Sequence, residues 1–516
     1  MKSKYLFLAA GIISFSIIIP GCIKHPLETE PVGNYTTQNY WRNQTDVLAG
    51  VAGIYNIMFQ EDGVGHGNYV FDDQSDDLSA DGDHADYWRI ENFSPLPTDY
   101  QIKTTWIFAY EQIARSNNAI IYIPKVPVID EAIRNRSLGE AYFMRAYGYY
   151  VLNNVYGEAP IILENNVLTS NYNIPKNTSE EIRLQIESDL LKAVDLLPEF
   201  YGSEDKGRVH KGSAWGLLCK LYMSWEKLDK SIEFGQKVIS NANYTLANSY
   251  ADNFTVSTQI DDPEILFGIW SKDQFGSAVA NMYFTNRAWG GWGFHHPTKD
   301  FVDEFESSDS LRRKATILSV GDSVANQNAL IEISDKDAYQ MFTGKQGQST
   351  GRMLPSQSPT GFSMRKYTAF KSDGSGLDAS IKQPLLRTAD IYLLMAEAKI
   401  RTGGAGAGDA EINTVRRRAG LNDITNATFN QLVHERRVEL GGENIRHFDL
   451  LRWDKVKLIN LDTIVSKSKQ ASMLQPFNGT TVVPARTFTR PKNYYMPVPQ
   501  SIVDESKGVI TQNSNY

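Results

Sequence analysis

Cysteine is nearly absent from this chain of 516 residues. Cys22 and Cys219 are the two it has, so a disulfide framework is not the source of its stability. Long apolar runs are missing as well: beyond residue 20 none approaches bilayer-spanning length. The mature protein is therefore expected to be soluble, or at most tethered. Basic excess is also lacking. Lysine and arginine number 52 against 60 acids, a net charge of -8, which argues against a nucleic-acid partner. What remains is the composition of a folded protein, 41% hydrophobic and 11% aromatic, with a mean hydropathy of -0.36. The length leaves room for two or three domains or one large helical assembly.

The first residues read as an export signal. Lys2 and Lys4 precede an apolar run over 5–19, short for a spanning helix. It ends in Ile19-Pro20-Gly21-Cys22, and a small residue directly before cysteine resembles a bacterial lipobox, whose cysteine is lipidated and becomes the first mature residue. Residues 1–21 are thus expected to be a signal peptide and 22–45 a lipidated cysteine with a flexible tether.

Helical spacing dominates the chain from residue 46 onward. It predicts helices over 46–59, 102–123 and 131–155, the last stopping at Gly157. Thr178-Ser179-Glu180-Glu181 has capping-box spacing and opens a helix with one apolar stripe, Ile182, Ile186, Leu190, Ala193 and Leu197. Helices are expected over 212–225 and 229–240, with Cys219 in the core rather than in chemistry. Two more, over 387–398 and 410–421, flank the glycine turn 403–408. Paired helices recurring roughly every 35 to 45 residues point to a tetratricopeptide-like helical repeat array. Strand-like pieces are few, the best being 265–270 and 494–498.

Three stretches break the pattern. Residues 71–89 hold seven aspartates with glycine and serine and read as a loop. Asp81, Asp83 and Asp86 offer calcium-type ligands but lack EF-hand spacing. Residues 281–297 pack five aromatics among three glycines, too much glycine for a stable helix, and the rings are expected to face outward. His295 and His296 are adjacent without further ligands at metal spacing. Residues 320–378 are polar and weakly periodic and read as long loops.

Residues 431–453 are different. They carry four carboxylates, four arginines and two histidines threaded by leucine, valine and isoleucine. Glu435 and Glu439 share one helix face. Paired acids suggest general acid–base chemistry, while structural ion-pair networks concentrate charge in the same way.

In chain order, these segments resemble SusD/RagB-type outer-membrane lipoproteins. Trp106, Tyr110, Ile113 and Asn117 look like that family's early W-Y-I-N helix. Arg145-Ala146-Tyr147 followed by Tyr156-Gly157 and Pro160 is similar to its RA…YG-x-x-P segment. Asn413, Arg416 and Arg418-Ala419-Gly420-Leu421 match N-x-x-R-x-R-A-G-L. Glu435-Arg436-Arg437, Glu439-Leu440, Arg446, Phe448-Asp449 and Arg452-Trp453 form the most specific block, and Met496-Pro497 with Gln512-Asn513 resembles the family's finish. Asp390 in place of glutamate, Gln500 and Asn515 are mild departures.

The resemblance implies a mainly α, tetratricopeptide-like scaffold whose loop-rich C-terminal part carries the ligand face, with an N-terminal helical-repeat region over 46–260 and a C-terminal region over 261–516. It implies a surface-exposed lipoprotein of the outer membrane, anchored through Cys22. Such a protein captures oligosaccharides, or in some branches peptides, and passes them to a SusC-type TonB-dependent transporter. It does so without catalysis, cofactor or metal. A glycoside hydrolase would need two carboxylates facing across a cleft, and none is marked out. Sugar rings offer apolar faces and many hydroxyls. Trp289 and Trp292 are therefore expected to stack on ligand, with Tyr283, Asn286 and Arg287 supplying hydrogen bonds and Asp86, Trp88 and Arg89 contributing from the preceding loop. The charged block of 431–453 is expected to be structural.

Overall fold

The computed structural model describes residues 40–516 apart from 62, 64–66, 272–278, 286, 288–290, 320–323, 327–330, 334–357, 370–377, 379 and 475–476. Cys22, Asn286 and Trp289 lie outside the described residues. The chain is mainly helical. Helices α1 (Gln44–Asn56), α2 (Ala85–Glu91), α3 (Tyr100–Tyr122), α4 (Glu131–Tyr156), α5 (Glu164–Thr169), α6 (Ser179–Leu196), α7 (Lys211–Ser224) and α8 (Leu228–Ile239) occupy the first half. α3 packs on α4, α4 on α6, α6 on α7 and α7 on α8, as a tetratricopeptide-like stack requires, and α8 then packs on Thr388–Gly403 from the second half.

Local signals set the helix ends. Asp130 accepts from the Ile133 N–H at 3.1 Å and starts α4; Gly157, at a φ of 79°, ends it. There any Cβ would also meet the Tyr495 ring at 3.0 Å, so glycine serves both the turn and the packing. The capping box at α6 forms as expected: the Thr178 N–H donates to Glu181 at 2.8 Å and the Glu181 N–H to the Thr178 hydroxyl at 3.2 Å. Cys219 is buried beside Ser231, 3.3 Å from its hydroxyl.

The motif residues of the first half bolt the stack together. Arg145, buried in α4, donates to Asp189 of α6 at 2.8 and 2.7 Å and to Asn117 of α3 at 2.7 Å. Asn117 in turn donates to the Ile162 carbonyl at 2.9 Å, and Tyr110 to that of Pro160 at 2.7 Å. A buried guanidinium is tolerated here because its donors meet a carboxylate and an amide in the geometry they need.

The second half has fewer regular elements: α9 (Val279–Phe284), α10 (Lys299–Glu304) and α11 (Ser310–Thr316), then α12 (Thr388–Gly403), α13 (Asp409–Arg418), α14 (Phe429–Leu440) and α15 (Arg446–Lys455). Short antiparallel pairs tie it down. β1 (Leu78–Ala80) pairs with β3 (His295–Pro297), and β2 (Ile265–Ile269) with β8 (Gln383–Arg387). β4 (Ile317–Ser319) pairs with β7 (Phe362–Met364), and β5 (Val324–Asn326) with β6 (Ile331–Ile333). One continuous hydrophobic cluster runs from Val47 through Phe301 and Val438 to Ile510 and joins both halves.

Three expectations need correction. Residues 71–89 are not an open loop: they contribute to a 3-10 helix over Gly67–Gln74, then β1 and α2. Asp76, Asp77 and Asp81 bond the distant Arg446, Arg437 and Arg287, and Asp72 and Asp73 are buried. The stretch 281–297 likewise begins in α9 and ends in β3, because Tyr283 and Phe284 turn inward. Residues 494–498 form no strand; Pro497 and Pro499 have no N–H to give, and the Val498 N–H goes to the Gln512 side chain at 2.6 Å.

The charged side chains of the 431–453 block are largely buried and paired with one another or with distant cations and anions, as the structural reading requires. Arg387 donates to Glu443 at 2.8 and 2.7 Å and to Glu439 at 3.0 Å, and pairs with Glu264. Arg312 reaches Glu435 at 2.6 Å and Glu439 at 3.3 Å. Arg418 joins Glu264 at 2.8 Å and also pairs with Glu439. Burial alone would raise the Glu439 carboxyl, but Arg418, Arg387, Arg312 and Lys366 outweigh it and hold the group below the usual carboxylate range. Asp390, likewise opposed by burial, is brought down to about 2 by Lys220 and Arg436. Glu439→Ala would take one carboxylate away from three buried guanidinium groups and is expected to cost roughly 3–5 kcal/mol, read as a fall in urea midpoint or loss of soluble protein.

Asp390 contributes to the acid response with a definite sign. Its folded pKa lies below the unfolded value, so its contribution is fully present above about pH 4 and drains away as pH falls from there toward 2. In thermal unfolding, the melting temperature of Asp390→Asn should sit below that of the parent by a constant interval above about pH 5 and converge on it toward pH 2.

Candidate ligand face

The β1–β3 pair decides where the two expected binding loops go. Its register sets Ala80 against His295 and Leu78 against Pro297. The ladder is extended by the Asp81 N–H, which donates to the Phe294 carbonyl at 2.8 Å. Residues some two hundred positions apart in sequence therefore share one surface. Gly82 makes the approach possible: its φ is +98°, and a Cβ there would meet the Phe294 ring at 2.7 Å and lie 3.7 Å from Arg287.

Arg287 donates to Asp81 at 2.8 Å across the seam. Burial opposes ionisation of Asp81, yet the His296 imidazole and Arg287 bring its carboxyl down to about 2, so the bridge keeps its charge at any physiological pH. Beneath lies a packed group of rings. Trp292 meets Tyr283 with centroids 5.6 Å apart and Phe294 at 5.6 Å; His84 stacks on Tyr87 at 4.6 Å and meets Phe294 edge-on at 4.8 Å. Trp292 is partly buried against this group, while Trp88, on α2, is 46% exposed.

The residues named from sequence therefore fall into different positions. Arg287, Trp292 and Trp88 lie at the surface of the joined loops. Tyr283 is buried and its hydroxyl donates to the Glu61 carbonyl at 3.2 Å. Asp86 is buried too; it accepts the Gln101 N–H at 3.0 Å and so anchors the first turn of α3. Arg89 donates to Asp99 at 2.9 Å, and Asp99 also accepts the Leu96 N–H at 2.8 Å. Those three side chains are therefore bonded to the protein itself.

No calcium-like convergence of Asp81, Asp83 and Asp86 is seen: Asp81 serves Arg287, Asp86 serves α3, and the Asp83 side chain is 93% exposed. His295 binds Asp73 at 2.8 Å in the interior, and His296 lies between the Gly293 and Phe362 carbonyls at 2.9 and 3.1 Å. Among the described residues Glu306, His434 and Glu435 come close enough to share a cation. Arg416 already bonds both glutamates, at 2.8 and 2.9 Å, and fills that role.

Sequence reasoning missed Tyr100, an exposed ring one residue before the Gln101 that Asp86 holds. It also missed the His84–Tyr87–Phe294 support. Gly82, flanked by Asp81 and Asp83, was the available signal, since a lone glycine in an acidic run marks a tight backbone approach.

Comparison with known proteins gives the family and the fold. A model of the SusD family matches residues 240–516, and a model described as starch-binding, associating with outer membrane, matches residues 32–223. The chain belongs to the SusD family. A SusD-like protein of Bacteroides ovatus is 25% identical over 88% of this chain and 83% of its own length. The starch-binding protein SusD of Bacteroides thetaiotaomicron is 22% identical over 100% of both chains. Among solved structures, a SusD-like protein from Bacteroides fragilis superimposes with a TM-score of 0.76 at 22% identity, covering 92% of this chain and 98% of that one. Surface glycan-binding protein A from Bacteroides thetaiotaomicron, in complex with laminarihexaose, gives 0.71 at 23% identity, with 92% and 99% covered. This SusD-family chain thus shares the tetratricopeptide-like fold of those structures.

The Asp81–Arg287 bridge is expected to hold the two loops in register. Asp81→Ala should leave the melting temperature within a few degrees of the parent yet increase protease nicking near residue 287, read by limited proteolysis and mass spectrometry.

Proposed function

We propose that this protein is a cell-surface glycan-binding lipoprotein of the outer membrane, anchored through Cys22. In this reading it captures oligosaccharides and hands them to a partner SusC-type TonB-dependent transporter without chemistry. The observation that carries the reading is the joined loop surface. Trp292 is partly exposed on the loop that carries Arg287, Arg287 bonds Asp81 across the seam, and Trp88 is exposed on α2, which follows β1; rings and charged groups of this kind match a sugar's apolar faces and hydroxyls. Trp289 and Asn286, from the same loop, belong to the proposed contact set. Tyr283, Asp86 and Arg89 act in it by holding the surface in shape. The names of relatives that bind starch or laminarin lend support.

A non-catalytic role is consistent with the fate of the acids. Glu435, Glu439 and Asp449, the carboxylates that sequence first brings to mind for catalysis, are each committed to buried arginines.

The test is a glycan array run beside a peptide panel, with Trp88→Ala, Trp289→Ala and Trp292→Ala in parallel. Retention of an oligosaccharide is expected, falling about tenfold for each loss of a stacking ring, since 1.4 kcal/mol is a factor of ten, with melting temperature little changed. Retention of peptides alone would move the protein to the peptide-binding branch. Equal glycan affinity in all three variants would remove this face from the proposal, and turnover of the glycan would overturn the non-catalytic reading.

A further inference from the structure

A second concavity lies away from the joined loops, between α4, α7 and α15. It is a cavity of about 140 Å³. Its inner wall is apolar and aromatic: Phe143 and Tyr147 from α4, Leu217 from α7, and Phe267 and Leu386 from the β2–β8 pair. Its mouth is polar, with Asn154, Arg183 and Lys455.

Two polar groups in this wall are left without partners. Arg436 donates Nε to Asp449 at 2.7 Å and Nη1 to Asp390 at 3.0 Å, but its buried Nη2 has no hydrogen-bond partner among the described residues. Asn444 Oδ1 is in the same position. An orphaned donor on a buried guanidinium is costly. One or two waters would satisfy both atoms, yet the space is larger, enough for on the order of ten waters. Its lining is mixed, with the rings of Phe143, Tyr147 and Phe267 beside the polar groups.

The charge at the site is lopsided. Glu443 and Asp449 line it but are neutralised, Glu443 by Arg387 and Lys366 and Asp449 by Arg436 and Arg452. At the mouth, Arg183 donates to the neutral Asn153 at 3.2 Å, and the Lys455 ammonium lies 4.1 Å from the Tyr495 ring centre. Neither has a carboxylate partner among the described residues.

We propose that this cavity is a binding site for a small organic acid with a ring-sized apolar body. Its carboxylate accepts from Arg436 Nη2 under the field of Arg183 and Lys455, and its body lies against Phe143, Tyr147 and Phe267. The site is separate from the proposed glycan face and stands or falls without it.

Titration of the mature chain with benzoate, and with benzyl alcohol as a neutral molecule of similar size, tests this by calorimetry and ligand-induced thermal shift. Benzoate is expected to bind saturably, at least tenfold tighter than benzyl alcohol, and to raise the melting temperature. The double variant Arg183→Gln/Lys455→Gln alters only the rim and should weaken benzoate at least fivefold, with glycan retention unchanged. Asn154→Trp, which plugs the mouth, should abolish binding; if that variant does not fold, the rim variant decides. Absence of saturable benzoate binding, equal affinity for the alcohol, or unaltered benzoate affinity in the rim variant would overturn the site and leave only trapped water.

Discussion

Everything in the second half hangs on neutralising charge away from water. Arg387, at the end of β8, bonds Glu443 and Glu439 and pairs with Glu264, so one guanidinium fastens a strand, a helix and the turn beyond it. Pairs of this kind gain little over an apolar core of the same volume but are severe to break, because removing one partner leaves the others charged and dry. The arrangement therefore fixes geometry more than it adds stability. The short elements α13, α14 and α15 each bury apolar side chains, among them Ile412, Leu432 and Trp453, and the ion pairs fix where each goes.

The same logic reaches across the chain to the acidic run near residue 76. Arg437 bonds Asp77 at 2.6 Å and Arg446 bonds Asp76 at 2.9 and 3.0 Å. Arg486 covers the Gln74 and Glu91 carbonyls at 2.9 and 3.1 Å, while Lys469 pairs with Glu91 at 2.6 Å. These contacts seat β1, and β1 seats β3 with Trp292 and Arg287 on the loop before it. The proposed binding surface and the charge network are thus parts of one construction.

Much of this is legible in the residues alone. Helix positions follow from apolar spacing, and α6 opens where Thr178 and Glu181 place it. The structural fate of Glu435 and Glu439 is legible from their interleaving with leucine and valine, which buries whatever lies between. The aspartates of 71–89 mislead because local composition says solvent, while the partners of Asp77 and Asp76, Arg437 and Arg446, lie hundreds of residues downstream, where no window on sequence can pair them. Tyr283 misleads for a related reason: ring-rich, glycine-rich stretches can face either way, and α9 and β3 are needed to turn it inward. Asp86 and Arg89 point to ligand by neighbourhood alone, whereas the N-terminus of α3 and Asp99 claim them first.

The bond between Arg437 and Asp77 also bears on how the molecule is made. Its partners are separated by 360 positions, and closing such a loop costs entropy before any contact rewards it. As the chain emerges in order, Asp76 and Asp77 stay hydrated and unpaired until Arg437 and Arg446 arrive. The helical stack of α3 to α8, held by near neighbours such as Arg145 and Asp189, can condense early. The surface built on β1 and β3 is completed last, so an incompletely synthesised copy would hold a folded scaffold with no assembled face.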